Sequence, residues 1–428
     1  MSECSLKKTT FRGWNAIEVQ NGTIRLVAVP EIGGRIMAYD LGDAHFIYVD
    51  NELAGKLFSA EENQGDGSLA AWKNYGGDKT WPSPQGWDTD DQWHGPPDPV
   101  LDTGRYQANY GCDTLSAWVE MTSPEDPRSG VQITRRFTIY AGSSRVDVHL
   151  SFRNISQREV RWSIWDVMQL DASRRNPDGS LTYDPACSIT TRINPASRFK
   201  DGFYVMFGDP SNPQWRADHS RGLVEANYLW EIGKIGIDTD CGWAAFNNLS
   251  KGCAFTEMFT NHPEAQYPDD GVGVECWTVG RGKVANLDYE QTSIYLMEVE
   301  ILSPFYNFSP GEVKSFEITW GVSKTAGQVL DAKAGGCTTT PFSARRSGEK
   351  ISLAGAFGVY AVGELLVQAL DANGKVISTE QLQAVTPDAP MLLSAEIAAM
   401  QAVVSVQLLV KTPAGDVFLL SECSLQDG

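Results

Sequence analysis

Apolar and polar residues alternate with a period of two along most of the chain. From Thr23 it runs TIRLVAVP, a turn at EIGG, then RIMAYDL and HFIYVD. Short β-rich runs broken by Gly, Pro and Asp predict a hairpin series rather than helices. After an interruption come TLSAWVEM, VQITRRFTIY, SRVDVHLSFRN and EVRWSIWDVMQLD. In the third of these, Val146, Val148, Leu150 and Phe152 share one face, opposite Asp147, His149 and Ser151. That is the pattern of a half-buried antiparallel strand with His149 on its wet side. Residues 171–230 are rich in Asn, Asp, Pro, Gly and Ser and read as loops between short strands. NPDGS within them is a turn, since it lacks the further acidic ligands of a calcium loop. Strands resume with CGWAAFNNL, CAFTEMF, VGVECWTV, SIYLMEVEIL and VKSFEITWGV, with a turn at Ser309-Pro310-Gly311-Glu312 leading into the last.

The interruption is Trp72–Asp102, which holds Trp72, Trp81, Trp87 and Trp93 together with Pro82, Pro84, Pro96, Pro97 and Pro99. No apolar face runs through it at either period, so it reads as one long irregular segment of the kind that carries function. Proline lowers the entropy cost of holding side chains in place. Flat tryptophan faces suit the C–H faces of a sugar ring, and Asp78, Lys79, Gln85, Asp88 and His94 offer groups for its hydroxyls. The plainer alternative is a tryptophan-stapled loop that only covers the sheet beside it.

Composition shifts toward the C-terminus: no tryptophan follows Trp320 and no histidine follows His262. Residues 332–350 read as a linker. Beyond them about six or seven short strands, with hairpin turns at 371–375 and 412–416, predict a small accessory β-sandwich of immunoglobulin-like size. LLSAEIAAMQAVV could instead form a short helix. The fold expected is all-β, with a large domain over residues 1–335 and a small sandwich over 336–428.

The net charge of −19 and a pI near 4.7 argue against nucleic acid or an anionic membrane as partner. The opening MSECSLKKTTFRGWNAIEV has no apolar run after its lysines, and no segment has the length to span a bilayer, so a cytoplasmic protein is expected. The eight cysteines show no close-spaced pair, which fits a reducing compartment and gives no metal spacing. No metal or cofactor is expected.

Candidate chemistry falls on carboxylates. Asp166 sits among apolar and aromatic neighbours at the end of a strand, where a raised pKa would suit a general acid, with Gln169 as an orienting amide; the plainer reading, and the favoured one on these residues alone, is an aspartate at a strand end that bonds backbone N–H groups. In VGVECWTVG, alternation puts Glu275 and Trp277 on one face and Val274 and Cys276 on the other, so Glu275 is a candidate base or hydroxyl acceptor. Glu298 and Glu300 share one strand face and read as a solvated or arginine-paired surface rather than a catalytic pair across a cleft. His94 and His262 lie in loops. No nucleophile elbow, GxGxxG or Walker motif is present.

NGTIRLVAVPEIGGRIMAYDLGDAHFIYVD resembles the first hairpins of galactose-mutarotase-like (aldose 1-epimerase) proteins, and NISQREVRWSIWDVMQLD the strand bearing one of their catalytic histidines. Val274-Glu275-Cys276 resembles the strand of their catalytic glutamate, and FSPGEVKSFEITWGV their closing strand. With the YPDDG turn and GGDKTWPSP, the match is to the DUF4380 subset of that superfamily, over roughly residues 14–325. The resemblance implies a β-supersandwich and a carbohydrate ligand. In mutarotases a histidine protonates the ring oxygen and a glutamate takes the anomeric proton. Glu275 matches that glutamate, Asp166 stands near the histidine, and Gly76-Gly77-Asp78-Lys79 lies where a second histidine would be. Asp166 or Lys79 would have to substitute. The expected function is carbohydrate binding, with epimerase- or mutarotase-type catalysis by Glu275 and Asp166 and substrate held by Asp78, Lys79, Trp81, Trp87, His94, Gln169 and Trp277. The alternatives are a non-catalytic sugar sensor and a protein that self-associates through its C-terminal domain.

Overall fold

The fold was obtained as a computed structural model, and the structure describes residues 3–86, 89, 92–284, 287–290 and 292–427. Trp87 and the acidic residues Asp88, Asp90 and Asp91 lie outside that set. Among the described residues the regular structure is almost entirely strand, as the alternation predicts. A 12-stranded and a 10-stranded sheet stack face to face, and an eight-stranded sheet is built from residue 331 onward. No helix among the described residues is long and apolar enough to cross a membrane.

The strand Asp78–Ser83 lies within the larger sheet, inside the segment that the sequence marks as irregular. Its position explains why two prolines nearby are tolerated. It pairs with Val160–Asp171 over six residues, from Ser163↔Ser83 to Met168↔Asp78. On its other side it meets Arg35–Leu41 only at Ile36↔Asp78, so the missing N–H of Pro82 breaks no ladder there. Leu296–Leu302, Val274–Thr278, Gly233–Ile237 and Phe203–Phe207 then follow Val160–Asp171 in the sheet order.

The core lies between the two large sheets, and it contains charge. Arg135 enters from the strand Val131–Tyr140 of the 10-stranded sheet. Its Nε donates to Thr80 Oγ1 at 2.8 Å, Nη1 to the Gly34 carbonyl at 2.6 Å, and Nη2 to Asp78 Oδ2. Asp166 is completely buried beside it, accepting from Thr80 Oγ1 at 3.0 Å, with its Oδ1 3.7 Å from the guanidinium. Glu257, from Cys253–Phe259, is also fully buried, and neither of its oxygens has a hydrogen-bond donor. Burial, then the Asp166 and Asp78 charges, push the Glu257 carboxyl well above the usual range. One arginine thus serves two carboxyl groups, with a third, Glu257, close enough to feel their charges.

A carboxyl whose pKa is raised on folding stabilises fully below its unfolded pKa and loses that contribution as pH rises through the folded value. Glu257→Gln is therefore expected to stabilise the fold by about 1–3 kcal/mol at mildly alkaline pH. The gain should shrink toward zero in acid. Urea unfolding across pH checks this, and a gain that grows in acid contradicts it.

The C-terminal sheet has its own apolar core, including Phe357, Leu365, Val367 and Val406. Residues 332–350 are not a linker: Asp331–Lys333 and Gly336–Ser347 are strands, the second paired with Lys350–Val359. Met391–Ala398 is likewise a strand rather than a helix, with Met391, Leu393 and Ile397 buried. This sheet docks on the outer face of the 10-stranded sheet. Tyr360 is fully buried there, its hydroxyl 2.6 Å from Thr256 Oγ1 and its ring against Gly321, where any Cβ would lie 2.9 Å from ring carbons. Thr256 and Gly321 point away from the inter-sheet core that Glu257 and Trp320 face, so the added sheet covers the side remote from the 12-stranded sheet.

Candidate functional site

Five neighbouring strands of the larger sheet present side chains on the face turned away from the 10-stranded sheet. The register sets them side by side: Trp81 opposite Trp165 and Lys79 opposite Val167, then Glu300 opposite Val167 and Glu298 opposite Gln169. Glu275 lies opposite Glu300, Trp277 opposite Glu298, and Lys234 opposite Trp277. Side-chain period two sends all of these to one side.

Over this patch lies a cavity of about 450 Å³, within the range of small-molecule sites. Trp72, Trp81, Trp165, Phe207, Trp277 and Tyr289 form its aromatic walls. Gln169, Lys234, Glu298, Glu300 and Asp269 supply its polar surface. Gln85, His94 and Pro96 come from the tryptophan-rich segment, which covers the sheet as well as walling the cavity.

Glu275 and Glu300 face each other directly across two strands, an arrangement that repels unless neutralised. Lys234 neutralises it, with Nζ 2.5 Å from Glu275 Oε2 and 2.9 Å from Glu300 Oε2. The ammonium also lies 4.6 Å from the centre of the Trp165 ring, whose Nε1 donates to Glu300 Oε2 at 2.9 Å. Burial works against the Lys234 ammonium, but Glu275 and Glu300 outweigh it and hold its pKa above the usual lysine range. Burial, partly offset by Lys234, raises the carboxyls of Glu275, Glu300 and Asp269.

A second cluster adjoins the first. Glu298 Oε1 accepts from Gln169 Nε2 at 2.5 Å and from Lys79 Nζ at 3.3 Å. Lys79 lies 4.9 Å from the Trp81 ring centre; burial lowers its pKa despite Glu298. Three oxygens of this face, Gln169 Oε1, Glu300 Oε1 and Glu275 Oε1, are buried and have no donor, the first two on residues that line the cavity. Trp81 Nε1, also on a lining residue, is a buried donor without an acceptor.

His94 lines the cavity, and burial and then Arg128 lower its pKa to about 4. It is a neutral wall near pH 7, not an acid. Asp269 and Asp270 both take left-handed backbone angles, with φ of 49° and 59°, and Tyr204 Oη holds the Asp269 carbonyl at 3.0 Å. Aspartate tolerates that region better than most residues, so the turn can place the Asp269 carboxyl beside the cavity.

Of the residues chosen from sequence, Trp81, His94, Gln169 and Trp277 line the cavity. Lys79 and Glu275 belong to the same face but lie beneath its surface, touching it through Glu298 and Lys234. Asp166 and Asp78 do not join them. They alternate onto the opposite face and bond Thr80 and Arg135 inside the sandwich. Trp87 lies outside the described residues. Glu298 and Glu300 are not a solvated surface: they are 8% and 0% exposed and paired with lysine. Lys234 and Asp269 carried no signal that singles them out, although YPDDG marked the turn. Among the described residues no group of His, Cys, Asp and Glu could hold a metal ion.

Among solved structures the chain is similar to a TPR-domain containing protein from Parabacteroides distasonis, at 14% identity and a TM-score of 0.46, over 72% of this chain and 46% of that one. It thus spans about half of that protein's length. It is also similar to a galactose mutarotase-like protein from Clostridium acetobutylicum (11% identity, TM-score 0.45, 75% of this chain and 99% of that one). A galactose mutarotase related enzyme from Lactobacillus acidophilus aligns at 10% identity and a TM-score of 0.43, over 71% and 96% of the two chains. A comparison with curated proteins finds no match. The model of the DUF4380 family, described as a domain of unknown function, matches residues 15–323, and the chain belongs to that family.

Proposed function

We propose that this cavity binds a carbohydrate and that Glu300, Glu298 and Lys234 supply acid–base chemistry at its floor, of the epimerase or mutarotase type. The observation that carries the reading is the pairing of aromatic walls with two buried acceptor oxygens lacking donors, Gln169 Oε1 and Glu300 Oε1. A sugar supplies what both need, apolar C–H faces for the rings and hydroxyl donors for the oxygens. Glu300, with a raised pKa and one free oxygen, is the group suited to exchange a proton with a bound hydroxyl. Glu275 acts at one remove, setting the charge and position of Lys234. Asp166 and Asp78 have no part in the reading.

A second reading, binding without turnover, is favoured by the lysine already paired with each of Glu298 and Glu300. Eight free thiols support the cytoplasmic assignment. Self-association through the C-terminal sheet has only scattered support, such as exposed Leu392.

A thermal-shift screen against mono- and oligosaccharides tests the proposal. A ligand at about 100 times its Kd should add roughly 2.7 kcal/mol. Trp277→Ala, at a half-buried wall position, should abolish the shift. Trp81 is a poor choice for that control, because it is packed against Trp72, Trp93 and Trp165 in the core. Absence of any shift at millimolar sugar would refute the carbohydrate reading. A hit that the protein does not anomerise would leave binding alone.

A further inference from the structure

Resting on the carbohydrate reading, we infer that the bound sugar carries a positive charge: the cavity is built for an amino sugar and rejects sugar phosphates. Around its floor stand four carboxyl groups, Glu275, Glu298, Glu300 and Asp269, against the two ammonium groups of Lys79 and Lys234. Nearby arginines do not restore the balance. Arg35 is matched by Asp102, and the Arg128 guanidinium stands behind the His94 ring instead of on the cavity lining.

The geometry of the free atoms agrees with the charge. Gln169 is fixed by its own donation to Glu298, so the oxygen is the end left unpartnered. Glu300 gives one oxygen to Lys234 and Trp165 and keeps the other free. Gln169 and Glu300 line the cavity and are at most 1% exposed. Both of these oxygens accept, and the unpartnered donor on the wall, Trp81 Nε1, is a neutral N–H that suits a sugar oxygen. An ammonium has three donors and no acceptor, whereas a phosphate has only acceptors to offer at neutral pH. Indole and phenol rings, here Trp277 and Tyr289, add attraction for a cation through their negative faces. The protein's overall negative charge would favour approach of a cation.

The test is a calorimetric titration of the full chain near neutral pH with glucosamine, N-acetylglucosamine, glucose, glucose 6-phosphate and choline. Glucosamine should bind at least about tenfold more tightly than glucose or N-acetylglucosamine, and glucose 6-phosphate should not bind. Glu300→Gln should remove most of the preference. Neutral sugars binding as well as glucosamine, or any binding of glucose 6-phosphate, would overturn the inference and leave the carbohydrate reading standing. Choline binding with no sugar binding would overturn the carbohydrate reading and keep the cation site. No binding by any of the five would overturn both. The wild-type series decides the matter even if the variant does not fold.

Discussion

Lys234→Met is expected to cost about 3–5 kcal/mol of stability at neutral pH, the typical penalty for removing one partner of a buried ion pair. Lys234 holds apart two glutamates that the sheet register forces to face each other, and methionine keeps the packing against Trp165 while removing the charge. Without the ammonium, the carboxyls of Glu275 and Glu300 rise further. Groups raised in this way stabilise fully only below their unfolded pKa, so the deficit should grow as pH rises and narrow below about pH 4.5. Adding Glu275→Gln should restore much of the loss by leaving Glu300 with no like charge opposite it. Urea unfolding of the single and double variants measures both. A loss near zero, or a double variant no better than the single, would mean that Lys234 does not neutralise this pair.

Arg135→Met is the second large effect, again about 3–5 kcal/mol. The guanidinium serves Thr80, Asp78 and the Gly34 carbonyl, and it is the cation that the structure places beside Asp166. Its removal takes the buried guanidinium partner from Asp78 and Asp166, whose charges Glu257 also feels. The loss should again shrink in acid, with the same sign. Because Asp78 and Thr80 alternate with Lys79 and Trp81 along one strand, this variant should also weaken ligand binding. Stability unchanged across pH would contradict the role given to this cluster.

The faces of several strands were legible in the sequence because one side was polar. In Val274–Thr278 alternation separates Glu275 and Trp277 from the buried Val274 and Cys276. The face of Asp166 was not legible, because WSIWDVMQL is buried on both sides and alternation then carries no direction. Glu298 and Glu300 show the opposite failure. MEVEIL has the pattern of a solvent-facing strand, and only the covering tryptophan-rich segment makes its acidic face an interior one. Lys234 sits in GKIGI, where nothing local distinguishes a buried lysine from an exposed one. The carboxylates that require it lie 41 and 66 positions away. The site is thus made by register between distant strands, which a local reading does not capture.

The most direct measurement is a crystal structure of the full chain soaked with the sugar that gives the largest thermal shift. The expected result is a sugar ring against Trp277, with donors placed on Gln169 Oε1 and Glu300 Oε1. A sugar bound elsewhere, or an empty cavity at saturating ligand, would contradict the assignment of this face as a carbohydrate site.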